Sequence, residues 1–110
     1  MRVNENRIGK ERSINIVIEP IHDADPIPLS KEIIGVIRQT CDDLAINALM
    51  MPSGAGHDAQ QIASFADTGM IFVPSVEGIS HSPDEYTRME DIALGTEVLI
   101  HVLLRLSGRA

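Results

Sequence analysis

The sequence predicts an α/β fold, a small sheet with packed helices. Two observations carry that prediction. Segments of strand and helix character alternate along the chain in the order strand, helix, strand, helix, strand, helix, which suits helices layered on a sheet. The strand-like segments are short apolar runs, one alternating (Ile14, Ile16, Ile18) and two continuous (Ala48–Met51 and Met70–Val73). At 110 residues and 44% apolar side chains, the chain is one domain or part of a larger one. A chain of this size buries roughly two thirds of its unfolded surface.

Residues 1–12 are polar and charged, and alone they should fray. Ser13–Glu19 has the period of a strand with one buried face, because Ile14, Ile16 and Ile18 alternate with Asn15 and Val17. Pro20 stops it. Residues 20–28 carry Pro20, Pro26 and Pro28 and read as a connector, the best candidate boundary in the chain. Ser30 is an N-cap candidate for a helix from Lys31 to about Leu44, whose stripe is Ile33 or Ile34, Ile37, Cys41 and Leu44. Ala48–Met51 reads as a buried strand closed by Pro52, and Ser53-Gly54-Ala55-Gly56 as a loop. A helix should start near His57-Asp58 and run to Ala66, burying Ile62 and Phe65. Thr68-Gly69 turns the chain into Met70–Val73, which suits an interior strand. Pro74–Tyr86 has no apolar periodicity and reads as a loop. The last helix runs from about Arg88 to Leu106, with a stripe of Ile92, Leu99, Leu103 and Leu106 widened by Val98 and Val102. Gly108 is a natural stop. A sheet of three short strands leaves at least one edge open, which hints that something outside this chain completes the fold.

Composition narrows the function. Net charge is −7 and the nine basic residues form no cluster, which argues against a nucleic-acid binder that tracks phosphates. Three aromatics, Phe65, Phe72 and Tyr86, without Trp, offer no stacking platform for bases. A single cysteine, Cys41, rules out an intramolecular disulfide framework and a Cys-rich zinc module. The apolar runs fall far short of the ~20 residues that span a bilayer. Arg2, Arg7, Lys10 and Arg12 open the chain, but no apolar segment of a secretory signal follows them. The expectation is a soluble, acidic, cytoplasmic chain.

The candidate chemistry centres on two of four histidines. His101 lies inside the last helix and reads as a helix-surface or interface residue; His22, in the connector, reads as a solvated loop residue. His57 follows a Gly-rich loop and opens a predicted helix. There it either caps the helix or meets a substrate carboxylate or carbonyl, since glycines permit close backbone approach and helix starts present free N–H groups. His81 lies in a loop directly after a predicted strand, where ligands bind in open α/β sheets. It either is an ordinary loop histidine or ligates a metal, with Glu85 or Asp84 orienting its second nitrogen. Ser53-Gly54-Ala55-Gly56-His57 is neither a phosphate-binding P-loop nor a dinucleotide fingerprint. Cys41, on an apolar stripe, reads as a buried structural thiol. Asp42-Asp43 and Glu90-Asp91 read as solvated or helix-start charges.

Two stretches, S-G-A-G-H-D-A (53–59) and M-I-F-V-P-S-V-E-G-I-S-H-S-P-D-E-Y-T (70–87), resemble the C-terminal end of a family of metal-dependent amidohydrolases. That family includes N-carbamoyl-L-amino acid hydrolase, allantoate amidohydrolase and β-ureidopropionase, within the metallo-aminoacylase and metallopeptidase superfamily. The resemblance covers about residues 14–107. It implies the closing portion of a zinc-peptidase-like catalytic domain with a two-metal site, zinc or manganese, and an inserted lid domain that mediates dimerisation. Residues 1–19 are then the end of the lid and its return strand, and 20–110 the C-terminal part of the catalytic domain. His81 matches the family's last metal ligand and His57 a substrate-binding histidine. Ser53, Gly54, Ala55 and Gly56 match the loop shaping the substrate pocket, and Glu85 a carboxylate behind the ligand. The implied reaction is hydrolysis of the C–N bond of N-carbamoyl amino acids or related ureido acids. The family's other ligand motifs are missing: the chain has no Glu-Glu pair, and His22-Asp23 stands in the wrong context. A hydrolytic zinc site normally takes three protein ligands, so the catalytic set is incomplete in this chain. The expectation is therefore an inactive chain from an active parent polypeptide, and a homo-oligomer. The alternative is a non-catalytic remnant or self-associating module.

Overall fold

The amphipathic stripe of residues 31–44 does fold as a helix, α2 (Lys31–Asp43), and it carries the core of the molecule. In the computed structural model, which describes residues 2–21 and 23–108, α2 packs against α4 (Met89–Leu106). Ser30 caps α2 by accepting a hydrogen bond from the Ile33 amide at 3.4 Å, which satisfies one of the free N–H groups of the first turn. Cys41 on α2 and Val98 and Val102 on α4 are buried, with Val36, Ile37, Leu44, Ile46 and Ile71 around them. Thr40 is fully buried in the same seam, and its hydroxyl donates to the Val36 carbonyl at 2.7 Å. The helix ends in a Schellman motif. Ala45 takes a left-handed backbone (φ 54°), and the Ile46 amide donates to the Cys41 carbonyl at 2.8 Å. The motif's accompanying apolar contact is Ile46 on the Cys41 cluster.

Residues 69–73 cross between the two helices. A Cβ on Gly69 would come within 2.5 Å of Ile33 Cγ2, and one on Gly95 of α4 within 2.5 Å of Val73 Cγ1. The Ser30 amide donates to the Thr68 carbonyl at 2.9 Å, and Gln60 Nε2 reaches the Asp25 carbonyl at 2.8 Å. These bonds tie the connector to the segment around α3 (Asp58–Ile62).

The predicted small sheet is not formed. Among the described residues there is no strand. Alternation and apolar runs record a tendency to pair, but a ladder needs a neighbour about 4.8 Å away, and these segments have none. Ser13–Glu19 and Ala48–Met51 stand in solvent, with Val17 76% and Leu49 83% exposed, while Ile71 rests on the helix seam instead.

Three further expectations are corrected. Residues 2–12 form a helix, α1 (Arg2–Arg12), supported by the Arg7–Glu11 pair at 3.0 Å and closed by a left-handed Ser13 (φ 52°). Helix α3 stops at Ile62 rather than Ala66, and Ile62 and Phe65 are exposed, because no second surface lies over them. On α4 the packed face is Val98 and Val102, while Ile92, Leu99, Leu103 and Leu106 stay largely exposed. The helix has apolar residues for two neighbours, and among the described residues one helix, α2, packs against it. Gly108 ends α4 with φ 71°, as expected.

Candidate functional site

His57 is where the Gly-rich loop meets α3. Its backbone is extended (φ −135°, ψ 151°) as befits an N-cap, but its side chain makes no capping bond. The ring turns back to Ser53 instead, with Nε2 2.7 Å from Ser53 Oγ. The same Oγ accepts a hydrogen bond from the Ala55 amide at 3.3 Å. Phe72, from the crossing segment, meets the half-buried His57 ring edge to face, with centroids 5.5 Å apart at 63°. Gly54 and Gly56 have open space where a Cβ would stand, so among the described residues nothing lies within 4 Å of either position. Ser53 and Gly56 are exposed.

His81 sits in a clipped loop. The Val76 amide donates to the Tyr86 carbonyl at 2.8 Å, and Ser75 Oγ donates to the Ile79 carbonyl at 2.5 Å. A 3-10 turn, Val76–Gly78, fills the near side. His81 is exposed and left-handed (φ 56°), a conformation uncommon outside glycine in which His is among the enriched residues. Glu85 stabilises it: one carboxylate oxygen accepts from the His81 amide at 3.3 Å, the other from Ser80 Oγ at 3.4 Å. Glu85 thus holds the backbone that carries His81.

Whether these residues could hold a metal is decided by donor number. No group of three or more His, Cys, Asp or Glu side chains converges among the described residues, against the three protein ligands of a hydrolytic zinc site. The described residues do not make a metal centre, and His81 would be at most one donor to one. His22 lies outside the described residues. His101, half-buried, lines an open concavity of about 470 Å³ along α4 with Met89, Ile92 and Ile100. Neither His57 nor His81 lines that hollow.

Two partnerships escaped sequence reasoning. Phe72, read as an interior strand residue, is the ring neighbour of His57, fifteen positions away in the chain, and no periodicity reports such a contact. Asp43, read as a solvated charge, pairs with Arg105 at 2.5 Å and accepts from Gln39 Nε2 at 2.9 Å. The Arg105 bond first, and the Gln39 bond second, hold its carboxyl below the usual carboxylate value. Cys41 is buried as expected. Burial, with Asp42 adding to it, pushes its thiol up.

Comparison with known proteins gives this local geometry a context. The chain is 41% identical over 100 residues to allantoate amidohydrolase of Escherichia coli (strain K12), covering 91% of this chain and 24% of that protein. It is 37% identical over 105 residues to N-carbamoyl-L-amino acid amidohydrolase of Geobacillus stearothermophilus, covering 96% and 26%. It is 38% identical over 103 residues to ureidoglycolate hydrolase of Arabidopsis thaliana, covering 93% and 22%. The chain thus spans about a quarter of the length of these curated relatives. The match to peptidase family M20/M25/M40 runs over residues 3–105, taking in both the Ser53–His57 loop and the His81 loop, and the chain belongs to that family.

Proposed function

We propose that the chain is the C-terminal part of an amidohydrolase that cleaves the C–N bond of N-carbamoyl amino acids or related ureido acids of the allantoate kind. The observation that carries this reading is the likeness over nine tenths of the chain to three relatives named for such substrates. The family is generally metal-dependent. Here His57 is the substrate-binding donor, and Ser53 and Gly56 belong to the loop that shapes the pocket. His81 is one metal ligand, to zinc or manganese, and Glu85 holds its backbone. The remaining ligands come from outside this chain. Residues 1–19 close a lid domain and 20–110 the catalytic one. The division is supported by α1, which packs on no other helix among the described residues.

A second reading is a non-catalytic, self-associating remnant. The exposed apolar residues of α4 favour it.

The test is reconstitution. The chain is mixed with a separate N-terminal fragment of a relative and assayed on allantoate and N-carbamoyl-L-amino acids. The amidohydrolase reading expects activity absent from the chain alone, present in the mixture, and reduced by about 10²-fold or more in His81→Ala, the upper end of losses seen when even an outer partner of a metal ligand is removed. Activity indifferent to His81→Ala sinks that reading. A mixture in which the two fragments form a complex and still stay silent supports the second.

A further inference from the structure

The Ser53–His57 contact can be formed in two ways. Nε2–H can donate to the serine oxygen, or the serine O–H can donate to a bare Nε2. The two differ in which nitrogen of the neutral ring carries the proton, and so in what His57 offers a ligand.

The distance favours the second. The separation is 2.7 Å. Hydroxyl donors to oxygen lie most often at about 2.7–2.8 Å and N–H donors to oxygen at about 2.9–3.0 Å, for which about 2.7 Å is the short end of the range. One lone pair of the hydroxyl is engaged by the Ala55 N–H at 3.3 Å, which leaves its proton free for the imidazole. The edge-to-face contact with Phe72 restrains the ring plane.

We infer that Ser53 is a positioning residue, whose hydroxyl donates to Nε2 and fixes neutral His57 as the Nδ1–H tautomer. This rests on the proposed substrate role of His57 for its functional meaning. It changes what Ser53 does: the serine acts through the histidine rather than on the substrate. It also fixes what His57 presents, a neutral N–H donor at Nδ1, suited to a carboxylate or carbonyl oxygen. A free histidine in water prefers its proton on Nε2, so the inference runs against the default.

The test is ring-nitrogen NMR on the full 15N-labelled chain in mildly alkaline buffer, where histidine is neutral. His57 is identified by the resonances that His57→Gln removes. The expected result is a protonated Nδ1 and an unprotonated, hydrogen-bonded Nε2. Ser53→Ala should shift the tautomer ratio toward Nε2–H by about threefold or more, the worth of one neutral hydrogen bond, and Ser53→Thr, which keeps the hydroxyl, should restore it. A wild-type ring protonated on Nε2, or a ratio unmoved by Ser53→Ala, overturns the inference. The measurement contains no substrate, so it fails separately from the functional reading. Reconstituted enzyme whose KM ignores His57→Gln would end the substrate role and leave the tautomer result standing.

Discussion

Asp43 belongs to the ion pair that links α2 to α4. Bonds from Arg105 and Gln39 hold its carboxyl below the ordinary carboxylate value, while in the unfolded chain it titrates near ~3.9. A carboxyl depressed by folding contributes stability above its unfolded pKa and loses it as pH falls through the folded one. The chain should therefore be more stable than Asp43→Asn near neutrality, with the gap closing below about pH 4; denaturant midpoints at stepped pH measure it. Cys41 carries the opposite sign. Burial first, and Asp42 second, raise its thiol, so its contribution is intact below the unfolded thiol's pKa and is lost as pH rises through the raised one. Because the thiol is buried in the α2–α4 seam, alkylation should be slow in buffer and fast in urea, which makes it a reporter of seam opening.

Helix ends and crossings give sharper mutational tests. Ala45 occupies a left-handed C′ position, which costs an L-residue roughly 1–2 kcal/mol. Ala45→Gly relieves that and loses roughly 0.4–1 kcal/mol to unfolded-state entropy, so a gain between zero and about 1.6 kcal/mol is expected in denaturant unfolding. Gly69→Ala should do the reverse. Its new methyl would stand 2.5 Å from Ile33 Cγ2 and 3.1 Å from Ile37 Cδ1, and a β-branched side chain on a helix has little freedom to turn away. Overpacking of this kind costs about 1–3 kcal/mol. Gly35→Ala, in the middle of α2 with nothing within 4 Å of its Cβ, is the control and should gain about 0.8–1 kcal/mol of helix propensity. What sequence reading captured at this scale is what local chemistry decides: the Ser30 cap, the Cys41 stripe and the Gly108 stop. It missed what partners decide. Ile14–Ile18 alternates correctly for a strand and finds no ladder, and α4 carries two apolar stripes of which the described contacts cover Val98 and Val102. In the candidate site the Ser53–His57 loop was legible because glycines and a helix start flag it, whereas Phe72 was not.

The whole molecule is shaped by that shortage of partners. Its radius of gyration is 19.2 Å and its extents are 62 × 33 × 19 Å; a compact domain of this length has a radius near 13 Å. Its accessible surface is 9366 Å², against about 6,000 Å² for a folded monomer of this mass. The excess, on the order of 3,000 Å², includes Leu49, Met50, Met51, Phe65 and the outer stripe of α4. A standard protein–protein interface buries about 1,200–2,000 Å² across both partners, or less than a third of that excess per chain. One dimer contact thus leaves most of that excess wet, and the exposed apolar residues left uncovered can recruit further copies. The chain on its own should therefore associate progressively with concentration rather than stop at a single dimer, and should bind an apolar dye strongly. Sedimentation over a hundredfold range of concentration checks this. A species that stays monomeric or stops at a dimer, with little dye bound, would mean that residues such as Leu49 and Phe65 find cover within the chain, and that the open arrangement of its segments closes in solution.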